Sequence, residues 1–301
     1  MKPRIDCYRV VCWRLSRHCN RACAFCLSTS GPGFDDPDHD PHRIVQRLVE
    51  LGVEKISYSG GEPLMYADLP ALVGEGENLG VAQSLTTNGD LLETGIPPWF
   101  AMLEHVKLSF YGSRQGHDRL MGAGHYDLQL RLAQRIPAET NVSVSANYML
   151  SATSCDQPDE FLADAARAGV YHVVFQTYIP TRRRRTDATY MLGRHESVIA
   201  AVTRTAAQYT QDFPGGIRVH DFSHNDWLIV LDEQGRLTLP ANHPVQPDHV
   251  LGGVFDDLLA LPTKPAQPAA DVMAQVWAVH EGTDAVVILD PGRWSNTEVG
   301  P

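Results

Sequence analysis

The chain has 301 residues, is 43% apolar and carries a formal net charge of -11. That length and composition suit one large globular domain, or a domain with a small extension. A net negative chain lacks the basic face of a nucleic-acid binder. No run approaches the ~20 apolar residues of a membrane helix, and Met1–Asp6 lacks a signal-peptide core, so a cytoplasmic protein is expected with neither nucleic acid nor membrane as partner.

Val10–Ser16 is apolar and β-prone and reads as a first strand. It runs into Cys19, Cys23 and Cys26, three of the six cysteines, spaced C-x3-C-x2-C. Thiolates at such short spacing suit an iron–sulfur cluster. No second C-x2-C pair exists to close a four-ligand zinc site. Three sulfurs leave one iron of a cubane open for a non-protein ligand. Cys7, Cys12 and Cys155 are scattered, which is metal usage in a reducing compartment and not a disulfide framework. Ser28–Asp40 reads as a loop containing His39, with His42 just beyond it.

From Pro41 the apolar spacing predicts a helix ending near Gly52. Val53–Ser59 is the second strand and leads directly into Gly60, Gly61, Glu62 and Pro63. Paired glycines after a strand allow close backbone approach to a ligand, and a carboxylate beside them can accept from an ammonium group. Together these residues resemble the two signatures of the radical S-adenosylmethionine (SAM) superfamily: the cysteine triad with Phe25 before its last member, and a Gly-Gly-Glu-Pro turn about thirty-four residues later. The resemblance implies one [4Fe–4S] cluster, SAM chelated to the open iron, and reductive cleavage of SAM to a 5′-deoxyadenosyl radical that abstracts a hydrogen atom. It also implies an external one-electron reductant of flavodoxin or ferredoxin type.

Leu69–Leu79 and Ile96–Leu103 read as helices, and Val81–Thr86, His105–Gly112, Val142–Met149 and Tyr171–Pro180 as strands three to six. Strands alternating with helices imply a parallel sheet, and the family's architecture is a partial (β/α)6 barrel with its site at the strand C-termini. By position, the resemblance assigns Phe25, Gly60, Gly61, Glu62, Pro63, Thr86, Asn88, Ser109, Asn147 and Gln176 to SAM. Gly116–Arg119 resembles a His-Asp loop of uncertain role. The Arg182–Arg185 run would either grip an anion or lie solvated on the surface.

From Pro214 the alternation weakens, and the expected boundary falls between a barrel of residues 1–213 and a small α+β extension of residues 214–301. Trp227–Leu231 and Arg236–Leu239 flank Asp232–Gly235, a hairpin signal; Leu251–Phe255, a short helix, a linker over Leu261–Ala270, a last helix and a Val286–Leu289 strand follow. The order resembles the SPASM or twitch extension of many radical SAM enzymes. No cysteine occurs after Cys155, so a cysteine-ligated auxiliary cluster has no ligands there.

Lacking a second cluster, the chain is expected to run a redox-neutral reaction such as epimerisation on a small polar secondary metabolite, for instance an amino sugar or aminoglycoside, which the acidic balance would attract. Cys155, following strand five, is the candidate hydrogen donor, with Tyr178 and Tyr148 as weaker ones. Alternatives are modification of a ribosomal peptide, a viperin-like action on a nucleotide, and a non-catalytic iron–sulfur sensor.

Overall fold

The computed structural model describes residues 10–26, 40–155, 157–178, 188–192, 195–220, 229–239, 249–256 and 286–289. Seven strands, β1 (Val10–Arg14), β2 (Lys55–Ser59), β3 (Ala82–Thr87), β4 (His105–Phe110), β5 (Ser143–Leu150), β6 (His172–Thr177) and β7 (Ile217–His220), pair in chain order and all in parallel. The helices α1 (Pro41–Glu50), α2 (Leu69–Asn78), α3 (Arg114–Met121), α4 (His125–Thr140), α5 (Pro158–Arg167) and α6 (His195–Ala206) fall between them. This is the α/β parallel-sheet architecture expected from the alternation.

Strand alternation makes the sheet two-faced. On β4, Val106, Leu108 and Phe110 are fully buried against the helices. Phe110 meets Tyr126 of α4 at 5.7 Å and Phe161 of α5 at 5.0 Å, centroid to centroid. Tyr148 and Phe175 join Phe161 in the same layer. Each such ring contributes ~1.5–3 kcal/mol by leaving water. The intervening residues, among them Lys107 and Ser109, therefore face the concave side.

Several details differ from the sequence reading. β7 begins just past Pro214, where the alternation was expected to end, so the parallel run has a seventh strand. The short apolar stretch Ile217–His220 is framed by Gly215 and Gly216, which mask it. A helix expected at Ile96–Leu103 is only a 3-10 turn over Pro98–Met102, because Pro97 and Pro98 withhold two backbone donors. α3 and α4 occupy residues where no helix was expected. At α1, by contrast, Asp40 caps His42 N, Pro41 occupies the first turn and Gly52 takes φ +88° just beyond the end.

The C-terminal hairpin forms as read. β8 (Ile229–Leu231) and β9 (Arg236–Leu239) are antiparallel, and Asp232 accepts from the Gln234 and Arg236 amides across the turn. β8 lies parallel beside β1, β10 (His249–Gly253) continues that edge, and β11 (Val286–Leu289) pairs antiparallel with β7 at the other. One eleven-stranded sheet results, with β10 and β11 at its ends. The expected extension thus flanks both edges of the barrel sheet. Cys7, His39, the Arg182–Arg185 run, the Leu261–Ala270 linker and the expected last helix lie outside the described residues.

Candidate functional site

The two signature segments form one knitted unit at the C-terminal ends of β1 and β2. Leu15 N donates to Ser59 O, Gly61 N to Ser16 O at 2.8 Å, and Glu62 N to His18 O at 2.7 Å. Side chains are excluded here. A Cβ at Gly60, whose φ is +136°, would stand 2.5 Å from Ser16 O, and one at Gly61 would stand 2.0 Å from His18 O. The paired glycines are needed because the turn lies directly on the backbone that leads to the cysteines.

Glu62 is 1% exposed and ties this unit to the end of β3. Its Oε1 accepts from Leu64 N and Thr87 Oγ1, and its Oε2 from Asn88 N. Burial pushes its carboxyl above the ordinary range, against these three bonds. The group expected to meet an ammonium ion also holds the Gly-Gly-Glu-Pro turn and the Thr87–Asn88 corner together. Pro63 opens the 3-10 turn that follows.

A second tie was not foreseen from the sequence. Arg21, between the first two cysteines, makes a two-armed ion pair with Asp90, which also accepts from Asn20 Nδ2. Burial would raise the Asp90 carboxyl, but the Arg21 guanidinium outweighs it and holds the group below its ordinary value. Asn88 Nδ2 donates to Asn20 Oδ1 at 2.8 Å. Behind this corner, Tyr111 N donates to His117 Nδ1, His117 Nε2 faces His125 Nδ1 at 2.7 Å, and His125 Nε2 faces Asn88 O at 3.1 Å. The first bond makes His117 Nδ1 an acceptor, which directs every N–H in the series toward the Asn88–Asp90 corner. Burial holds His117 down to about 3, so both rings stay neutral at pH 7. Asp118, its neighbour in the His-Asp loop, caps the start of α4 at Gly124 N and Tyr126 N. The sequence signal was available in two polar residues following Asn88–Gly89 and in the histidine of the His-Asp loop, but nothing in their spacing pairs them.

Cys19, Cys23 and Cys26 are all half-buried free thiols. Cys26 N donates to Cys23 O in a tight turn, Arg21 N points at Cys19 Sγ at 3.4 Å, and Cys23 Sγ lies 3.9 Å from Met121 Sδ. Burial raises the Cys19 thiol, and Glu62 and Cys26 act on it in the same direction. Among the described residues no set of three His, Cys, Asp or Glu side chains is gathered as a closed metal site. The donor chemistry nonetheless fits an iron–sulfur cluster: three unoxidised thiols on one loop, clamped by backbone bonds to a glycine turn that leaves no room for side chains.

Around Cys23 stands a small apolar wall separate from the main core. Phe25, Met121 and Tyr190 are buried there, with Tyr111, Met149 and Tyr178 packed against them. Phe25 lies 4.5 Å from Tyr111 and 5.7 Å from Tyr190, centroid to centroid. Tyr178, a candidate donor, belongs to this wall, 5.6 Å from Tyr190. Tyr148 does not: it is buried on the helix side with its hydroxyl bonded to Ser154 O, because β5 alternation turns it away from the concave face. Thr86, Ser109, Asn147 and Gln176 occupy concave-face positions on four successive strands, Ser109 directly opposite Asn147. Cys155 is half-buried on the loop after β5, which Ser151 and Ser154 brace internally. Cys12 stands on the concave face opposite Ser57, where the sequence left barrel wall and core open.

Residues 13–150 match the radical SAM superfamily. A mycofactocin maturase, MftC, of Mycobacterium tuberculosis is 26% identical over 293 residues, covering 94% of this chain and 68% of that protein. PqqA peptide cyclase of Granulibacter bethesdensis is 26% identical over 52% of this chain and 43% of its own. Among solved structures, SuiB of Streptococcus suis bound to S-adenosylmethionine superposes with TM-score 0.63 at 17% identity, covering 84% of this chain and 64% of that one. The enzyme anSMEcpe, with AdoMet and a peptide bound, gives 0.67 at 15% identity, covering 89% and 83%. These superpositions show the fold.

Proposed function

We propose, from the premise that this chain belongs to the radical SAM superfamily, that it acts on a ribosomally made peptide. The observation that carries this reading is the match to the mycofactocin maturase along 94% of the chain, joined by the match to a peptide cyclase. The family uses a [4Fe–4S] cluster and SAM, which together supply a hydrogen-abstracting radical. A peptide replaces the amino sugar or aminoglycoside as the leading substrate, and epimerisation becomes one outcome among several.

In this reading Cys19, Cys23 and Cys26 hold the cluster. Gly60 and Gly61 keep that loop pressed to the sheet, and Glu62 and the Arg21–Asp90 pair fix it to the end of β3. Preorganisation of this kind lets the loop meet its ligands without first paying to order itself. The wall of Phe25, Tyr111, Tyr178 and Tyr190 shields the Cys23 side of the mouth from water. Thr86, Ser109, Asn147 and Gln176 offer hydroxyl and amide groups to SAM along the concave face, and Cys155 and Tyr178 are the candidate hydrogen donors. A cluster-free extension of residues 214–301 flanks the barrel of residues 1–213.

The test is anaerobic reconstitution with iron and sulfide, followed by reduction and incubation with SAM and the short peptides encoded beside the gene. Formation of 5′-deoxyadenosine together with a mass change in one peptide supports the proposal. Cleavage of SAM with no peptide altered, but an added aminoglycoside altered instead, would return the small-molecule reading.

A further inference from the structure

The net charge of -11 conceals a local reversal. No Asp or Glu occurs anywhere in β1–β7. Their concave positions carry Arg14, Lys55, Lys107 and Arg218 instead, placed there by the alternation that sends their neighbours into the helix layer. A closed (β/α) barrel fills its interior with branched apolar side chains. This one lines its floor with Cys12, Ser57, Ser84, Lys107 and Ser145.

Lys107 is the centre of that floor. It stands one concave position below Ser109 on β4 and reaches across β3 to donate to Ser57 Oγ at 3.0 Å. Ser57 is paired in register with Ser84, whose hydroxyl is buried and has no hydrogen-bond partner. An ammonium group has three donors, and the structure gives this one a single acceptor, a neutral hydroxyl. Burial first, and then Lys55 and Arg218, lower its affinity for a proton to about 8, against the opposing pull of Cys12 and Glu104. Glu104 itself is engaged by Lys55 at 2.5 Å at the foot of the strand. Desolvating a cation among other cations costs free energy that an apolar residue would avoid, and a bound anion would recover it.

We propose that Lys107, with the Ser57 and Ser84 hydroxyls beneath it, binds an anionic group of the substrate, a carboxylate or a phosphate, on the floor of the concave sheet. The inference rests on the proposed function in taking the concave face as the substrate chamber. It gives that substrate an acidic end and opposes the polycation suggested by net charge.

The test uses the reconstituted full chain and two probes, sodium acetate and inorganic phosphate, each against potassium chloride at equal ionic strength. The chain has four lysines, Lys2, Lys55, Lys107 and Lys264. Acetylation by an amine-reactive ester is followed at each by peptide mass spectrometry. Saturable protection of Lys107 by at least about tenfold, a contact of ~1.4 kcal/mol, with Lys2 and Lys264 unaffected, is the expected result. Protection by acetate assigns a carboxylate, and protection by phosphate a phosphoryl group. No protection by either, or equal slowing at all four lysines, overturns the proposal. A second measurement is the rise in melting temperature that the protecting anion produces by binding the folded state. Lys107→Met should abolish that rise, and a rise that persists in the variant places the anion elsewhere and also overturns the proposal. Failure here with SAM still cleaved in the peptide assay leaves the proposed function standing; failure to cleave SAM sinks that function whatever the anions do.

Discussion

Replacing Gly61 by alanine adds one methyl group at the point where the glycine turn lies on the cysteine loop. That carbon would sit 2.0 Å from His18 O and 2.8 Å from Arg17 C, both backbone atoms that no rotamer change can move. Relief requires the two segments to separate by more than 1 Å, given ordinary carbon contacts of ~3.5–4 Å. The bonds Gly61 N to Ser16 O and Glu62 N to His18 O then lengthen beyond use. Two lost bonds at ~0.5–1.5 kcal/mol each, with overpacking at ~1–3 kcal/mol, predict a loss of about 2–6 kcal/mol. The internal control is Gly74→Ala in α2, where an added Cβ meets nothing within 4 Å. Helix propensity alone predicts that this change stabilises by up to ~1 kcal/mol. Urea unfolding of both variants reads the two signs, and iron content after reconstitution reads whether the loop still takes up its cluster. Gly61→Ala with wild-type stability and full iron would refute the reasoning that the two signatures form one clamped unit.

Alanine at Cys19, Cys23 or Cys26 should abolish the cluster, read as loss of the ~4 irons per chain expected of a cubane; a full complement in the triple variant removes these residues from the metal site. Acid should destabilise the protein through His117. Its folded value of about 3 lies below the unfolded 6.5, so its contribution is fully present above pH 6.5 and is lost as pH falls from there toward 3. His117→Asn should flatten stability against pH across that window, and an unchanged slope rules His117 out as its source. If the reaction inverts a carbon, Cys155→Ala should still cleave SAM but yield no inverted product, and the wild type should place solvent deuterium at that carbon; full product from the variant returns Cys155 to an idle loop thiol.

What was legible in the sequence was whatever is local. The strands β1–β6 are short apolar runs with period two, and the cysteine triad and Gly60–Pro63 carry their chemistry in their spacing. β7 escaped because four residues between glycines and a polar stretch give too little periodicity. The ties that make the site rigid escaped for a different reason. Arg21 and Asp90 are 69 residues apart, and Asn88 and Gln129 are 41 apart; each is an ordinary polar residue until the sheet brings strand ends together. Glu62 was found, but only as a ligand for an absent ammonium group. Its bonds to Thr87 and Asn88 depend on β2 and β3 being neighbours in register.

Net charge misled for a related reason. A count weighs every residue equally, whereas a substrate meets only the face that alternation turns toward it. The acidic residues of this chain lie outside the seven parallel strands, while four of its basic ones stand on their inner side. Exposed charges more than ~10 Å away are largely screened at ordinary salt, but a cation buried beside the chamber is not, since the low local dielectric strengthens its pull on an anion. The potential inside the half-barrel is therefore set by Lys107 and its neighbours and not by the surplus of carboxylates elsewhere. A period-two reading of β4 alone already separates Lys107 and Ser109 from Val106, Leu108 and Phe110. Charge counted strand by strand on the inward positions, rather than over the whole chain, points to an acidic substrate.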